Sequence, residues 1–274
     1  MRDLLKTDFK RVLKDKLFLI LCIVAAVFAL SSPLLYKALF ALVPPEEMAE
    51  VETMLAMQIN AKMLFFNAFS LMNNFGLLLP VLITIVLCKD FSHGTIRNKI
   101  ISGKPRTSVF FSLLITCSVF VCGIMLAQAL LTLAVSLLFF DYQPTEFTAS
   151  DFGYFMASIG FKLLICLLVS ALLTFFIVTM KNAGLAIVMY FVVNFGCVII
   201  GVVTQTVFPF LDADTAAYGI LQFLNRANAF ATMIVGNGTS YSLAEVLSLL
   251  LPNLVITAAL ILFGWMIFRK KDLK

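Results

Sequence analysis

The side chains best suited to chemistry are few and dispersed. The chain has one histidine, His93, and six cysteines, Cys22, Cys88, Cys117, Cys122, Cys166 and Cys197. A metal site needs several Cys, His or carboxylate ligands brought together, and His93 has no Cys, Glu or second His at ligand spacing, so no metal ligand is expected. The cysteines lie in or at the ends of apolar runs, where thiols pack as small hydrophobes, and neither disulfides nor catalysis is expected of them. Nucleotide chemistry lacks its phosphate cradle. The pattern Gly-x-x-x-x-Gly-Lys-Ser/Thr occurs nowhere, because Gly103-Lys104 is followed by Pro105 and has Asn98 where the first glycine should stand. The chain is expected to have no catalytic residues and to bind no cofactor itself.

What remains is a basic segment, Cys88 to Arg106, wedged between two apolar runs. Gly94 and Thr95 suit a helix start, and Ile96 and Ile100 fall four apart with Ile101 beside them. Gly103 suits a left-handed cap, and Pro105 prevents continuation. The spacing predicts a short basic helix whose isoleucines could dock into a groove on a soluble partner, while Arg97, Lys99 and Arg106 face acidic groups or lipid phosphates. An ordinary basic loop between two spans has the same composition.

The elements that must hold this segment are hydrophobic. With 62% apolar residues, 13% charged residues and a mean hydropathy of +1.04, 274 residues leave too little polar surface for a soluble globule. A hydrocarbon core about 30 Å thick needs roughly 20 apolar residues per helical span. Six runs qualify: Leu17–Tyr36, Phe69–Cys88, Val109–Phe140, Phe161–Met180, Ala183–Phe208 and Val246–Phe268. They are continuous rather than alternating, which favours an all-α polytopic membrane fold over a barrel, as a single transmembrane domain over 1–274. Lys and Arg gather before the first run, after the second (Lys89, Arg97, Lys99, Lys104, Arg106), at Lys181 and in the tail. Glu46, Glu47, Glu50, Glu52, Asp141, Glu146, Asp151, Asp212 and Asp214 occupy the alternate loops. By the positive-inside rule both termini are expected in the cytoplasm, and the net charge of +5 reflects this asymmetry rather than nucleic-acid binding.

Residues 1–16 could be taken for the start of a secretory signal, but the first run is too long for a signal core. Leu4, Leu5, Phe9, Val12 and Leu13 recur at helical spacing, with Lys6, Lys10 and Lys14 on another face and Arg11 between. An interfacial amphipathic helix is expected, resting on the lipid bilayer or on a cytoplasmic partner. Within the spans no Asp or Glu occurs, which disfavours ion-coupled carriage and intramembrane hydrolysis. Lys162 is expected to extend its ammonium to the external interface. Asn73, Asn74, Gln128, Asn194 and Gln205 are polar candidates for interhelical hydrogen bonds. Pro80 should kink the second span and free a carbonyl, so Asn73, Asn74, Pro80 and Asn194 are candidates to line a pathway.

In its order Asp90, Gly94, Thr95, Ile96, Arg97, Gly103, Pro105, Arg106, the segment 89–106 resembles the link between the second and third spans of type 2 ABC exporter permeases, the membrane subunits of drug, antibiotic-peptide and polysaccharide exporters. The likeness extends to the N-terminal helix, the six spans, the short link at Lys181-Asn182 and the basic tail. Ser112 stands where members often carry a lysine, and Asp90 where they usually carry Glu. The resemblance implies a bacterial plasma-membrane permease that pairs with a second permease subunit, identical or paralogous, and binds cytoplasmic ATPase subunits holding ATP and Mg. It implies that Asp90, Gly94, Thr95, Ile96, Arg97, Ile100, Gly103 and Arg106 transmit ATPase motion with the helix carrying Leu5, Phe9, Arg11 and Leu13. It also implies an external cap over 209–245. Short loops and cysteine usage favour the same compartment. A secondary carrier or uptake module, a membrane-embedded enzyme and a non-transporting immunity or sensor subunit are the other assignments this composition allows.

Overall fold

The computed structural model describes residues 1–42, 60–70, 74–142, 148–211, 215–228 and 243–271. All regular structure among them is helical: α1 Arg2–Lys14, α2 Lys16–Phe40, α3 Ala61–Ala68, α4 Asn74–Ser92, α5 Thr95–Ile101, α6 Arg106–Ser136, α7 Ala149–Met180, α8 Ala183–Val207, α9 Ala216–Ala227 and α10 Leu243–Lys270, with a short 3-10 turn at Phe208–Phe210. Helices α2, α6, α7, α8 and α10 are each long and apolar enough to cross a membrane. A sixth crossing is counted when α4 and α5, bent by 49° at their junction, are taken as one broken span. The protein is a multi-pass helical membrane protein.

Helices α6 and α7 form the centre and bury most of their length, whereas α2, α8 and α10 leave most of their apolar surface uncovered. Leu19, Ile23 and Val27 of α2, Phe195 and Ile199 of α8, and Val255 and Phe263 of α10 are all exposed. Continuous helices with satisfied backbones and outward apolar side chains are what a hydrocarbon solvent selects. Helix ends carry local stop signals. Asn182 accepts hydrogen bonds from the Gly184 and Leu185 N–H groups to start α8, directly after Lys181 ends α7 with φ 56°. Thr148 and Asp151 close a reciprocal capping box at the start of α7.

Several sequence boundaries move. The expected second span begins at Phe69, yet Phe69 is the buried C-cap of α3, and the crossing helix starts at Asn74 and runs past Cys88 to Ser92. Helix α3 itself is not anticipated by the apolar runs. Asn60 caps its start through the Met63 N–H, Leu64, Phe65 and Phe66 are buried, and its first N–H groups donate to the carbonyls of Asp141 and Tyr142 at 3.0 and 3.1 Å. Such a short helix survives because packing supplies what its length cannot. Lys162 is a second correction. It is 1% exposed rather than extended to the interface, with its ammonium donating to the Phe66 carbonyl at 3.5 Å and lying 5.4 Å from the Phe66 ring centre. Helix α3 covers the route by which that side chain would reach water. Cys88, Cys117 and Cys166 are buried and Cys122 and Cys197 half-buried as expected of packers, while Cys22 lies exposed on α2.

Of the stretch 209–245, α9 is described, and it folds back along the bundle. The Asn228 amide at its end donates to the carbonyl of Cys197, ten residues inside α8, at 2.6 Å, and Asn253 of α10 donates to the Arg226 carbonyl at 3.3 Å. Ile220 and Phe223 remain exposed. Phe230 and Met233, also expected in the cap, lie outside the described residues, as do most of the acidic loop residues.

Candidate functional site

The chain crosses its bundle so that α1, α5, the start of α6 and the end of α10 meet at one end, which also holds most of the Lys and Arg. Helix α1 turns toward the core a row of Leu4, Asp8 and Val12, one per turn, all buried. Expected as an apolar stripe, this row has a carboxylate at its centre. Asp8 accepts from Lys99 of α5 at 2.5 Å and from the Ser112 hydroxyl of α6 at 2.7 Å. Leu13, assigned by spacing to the apolar face, is 57% exposed, while Leu5, Phe9 and Arg11 are half-buried. The Phe9 ring and the Phe18 ring of α2 flank Phe120 of α6 at 5.2 and 5.0 Å between centres. Phe120 thereby ties both N-terminal helices to the core.

Two further ion pairs continue the strap. Arg11 pairs with Asp90, which is 1% exposed in the last turn of α4. Lys89 pairs with Asp15 at 2.7 Å, while Asp15 also accepts from the Leu17 N–H at 2.9 Å and so begins α2. Burial pushes the Asp15 carboxyl up, but the hydrogen bonds from Lys89 and Leu17 and the nearby cations outweigh it and hold the group below its ordinary 3.8. Burial lowers the Arg11 guanidinium against the opposing pull of Asp8 and Asp15, and an arginine stays charged regardless. Acids on α1 and the α1–α2 joint thus meet Lys99 and Lys89, and the base on α1 meets Asp90. Reciprocal pairing of this kind fixes register, because a shift of one turn would place like charges together.

Helix α5 is built as its sequence predicts. Gly94, with φ 67°, makes the corner from α4, and Gly103, with φ 86°, ends the helix. The Gly103 N–H donates to the Ile100 carbonyl at 3.0 Å and the Lys104 N–H to the Lys99 carbonyl at 3.2 Å, the paired bonds of a left-handed glycine stop. The face it offers differs from expectation. Ile96 is buried in the protein's own core, Ile100 packs against it, and Thr95 is half-buried, so these residues brace the segment instead of docking elsewhere. The exposed tip consists of Arg97, Asn98, Ile101 and residues 102–105, with Ile101 71% exposed. Arg106 is also drawn inward, donating to the carbonyls of Arg269 and Lys271 at 3.0 and 2.9 Å. Lys271 in turn donates to the carbonyls of Val178, at 3.1 Å, and Thr179, which joins the tail to the end of α7.

Asn73 and the side chain of Asn74 lie outside the described residues. Pro80 sits within α4, and Asn194 is buried on α8, its amide donating to the Tyr190 hydroxyl at 3.4 Å. The residues that sequence reasoning passed over are Asp8, Asp15 and Lys89. One signal for Asp8 was legible, since an acidic residue interrupts the Leu4, Val12 row.

No match was found among the curated proteins. The DUF2705 family, described as a protein of unknown function, matches residues 18–274, from the first turn of α2 to the end of the chain, and the protein belongs to that family.

Proposed function

We propose that this protein is the permease subunit of an ATP-driven ABC transporter, powered by separate cytoplasmic ATPase subunits and working beside a second permease subunit. The observation that carries the reading is the exposed tip of Arg97, Asn98, Ile101 and residues 102–105, rooted in the bundle by Ile96, Ile100, Asp90 and the straps to α1. A surface that receives force must be exposed at its tip and rigid at its base, and this segment is both. Rigid elements with two discrete arrangements are what transmit domain motion. The basic end is then cytoplasmic, as the charge bias requires, and α1 lies at the inner membrane surface with Arg2, Lys6, Lys10 and Lys14 exposed. Export of an amphipathic peptide, antibiotic or hydrophobic small molecule from a bacterial plasma membrane is the activity proposed.

Gentle solubilisation from the native membrane, purification, identification of the associated subunits and assay of ATP hydrolysis test this. A stoichiometric partner carrying a phosphate-binding loop is the expected result. A chain that purifies alone under conditions preserving other membrane complexes overturns it. A gradient-driven carrier is the second reading, favoured by one observation, the buried ammonium of Lys162. Proton- or sodium-driven uptake into vesicles without ATP, abolished by Lys162→Met, would establish that reading instead.

A further inference from the structure

The end of the bundle opposite the strapped segment holds a cavity of about 490 Å³ between α2, α3, α4 and α6. Phe28 and Leu35 supply apolar wall, and Tyr36, Asn67, Gln128 and Thr132 supply polar groups. Gln128 carries the most information. It is 6% exposed, and its side-chain carbonyl oxygen is buried without a hydrogen-bond partner. An orphan of this kind is destabilising unless something pairs with it. Thr132, one turn on, does not fill that role, since its hydroxyl donates to the Gln128 backbone carbonyl at 2.9 Å.

Helix α4 contributes backbone to the same wall. Gly76 lines the cavity, and Pro80, four residues later, has no N–H to offer the Gly76 carbonyl. No Asp, Glu, Lys or Arg stands among the described lining residues. The volume falls within the roughly 300–1,000 Å³ usual for sites that enclose small molecules. One unpaired amide oxygen, an apolar wall and no charged group among the described lining residues define the ligand chemistry. We propose that this cavity binds an uncharged amphipathic molecule rich in amide or hydroxyl groups. An N–H or O–H donor of that molecule meets the Gln128 side-chain oxygen, and its apolar part lies against Phe28 and Leu35. As a statement about transported substrate this rests on the exporter reading, but the binding itself requires no ATPase.

The purified full chain in phosphatidylcholine nanodiscs, without any ATPase, is irradiated with an acetylated and amidated Leu/Ser/Phe hexapeptide bearing one benzophenone. Cross-links mapped by mass spectrometry are expected on α2, α3 and α6 around the cavity, and unlabelled peptide should compete them away. Gln128→Leu should weaken labelling about three- to tenfold, the loss of one hydrogen bond. Ser32→Trp, which narrows the cavity from α2, should lower it as well, neither variant unfolding below the parent's thermal unfolding temperature. Labels spread over the exposed faces of α8 and α10 and insensitive to both changes overturn the site. Equal labelling of the cavity by a benzophenone alkyl chain lacking amide and hydroxyl groups overturns the assigned ligand chemistry in favour of a lipid tail. Failure to purify with an ATPase leaves these results unaffected, so the two readings fail separately.

Discussion

Asp8 is the residue on which the strapped end turns. Its carboxylate is 95% buried and serves both Lys99 and Ser112, so removing it leaves a mostly buried ammonium and a buried hydroxyl without their acceptor. Breaking one side of a buried pair typically costs about 3–5 kcal/mol. Asp8→Ala should therefore lower the unfolding temperature more than Asp8→Asn, which retains an acceptor for Ser112. Lys99→Met added to Asp8→Ala should recover part of the loss, and a double-mutant cycle by calorimetry in detergent measures it. Strictly additive losses would show that the two groups are not coupled. Ser112 acquires a meaning here as well. Where the resemblance leads one to expect a lysine, this chain has a hydroxyl, and the cation reaches Asp8 from α5 instead. Gly94 poses a conformational question rather than a packing one, because nothing lies within 4 Å of where its Cβ would be. Gly94→Ala should cost about 1 kcal/mol through the left-handed backbone alone. Gly94→Pro cannot adopt φ 67° and should uncouple ATP hydrolysis from transport while membrane insertion, read by protease protection, persists. Full ATP-dependent transport by Gly94→Pro would rule out coupling through this corner.

At the scale of elements, α1 is held by polar pairs as much as by apolar contact, and this makes its docking sensitive to acid. Asp15 has its folded-state value depressed, so the stability from its pair with Lys89 is present above the ordinary aspartate range and lost as the pH falls through the lowered value. Protection of the α1 amides, taken relative to the intrinsic exchange rate at each pH, should be high at neutral pH and fall below about pH 4, and Asp15→Asn should remove the Asp15 share of that acid transition. An exchange profile unchanged by Asp15→Asn would mean that the joint is held without this pair. Helix α5 divides its residues between two tasks. Ile96 and Ile100 anchor it, and Arg97 and Ile101 face outward. On the proposed function, Arg97→Glu should weaken ATPase association about tenfold in a pull-down while leaving the unfolding temperature within a degree, whereas Ile96→Asp should destabilise the protein itself.

For the whole molecule, the single tryptophan reports the depth at which one end of α10 sits. Trp265 lies near the end of α10, its indole N–H donating to Thr107 at 3.2 Å and its ring 5.7 Å from the Arg269 guanidinium. An indole beside an arginine at a helix end is placed at a membrane surface. Lipids brominated near the headgroup should quench its fluorescence more than lipids brominated at the chain ends, and the reverse ranking would put this end of α10 at membrane depth.

The division between what was legible in the chain and what was not follows from the range over which each property is determined. Hydropathy and charge are local sums, so the helical membrane class, the long apolar helices and the clustering of basic residues in alternate links were readable directly. The end of α5 was also readable, because Gly103 and Pro105 act on their own neighbours. The helix α3 escaped, since its apolar run is shorter than a span and it is stabilised by tertiary contact with α6 and by the carbonyls of Asp141 and Tyr142. The burial of Lys162, the partners of Asp8 and Asp90, the inward turn of Ile96 and the orphaned amide oxygen of Gln128 belong to the tertiary structure alone. Each depends on which distant helix lies opposite, as Lys99 lies opposite Asp8 from 91 residues away. Periodicity states that a residue has a face, and only packing determines what that face meets.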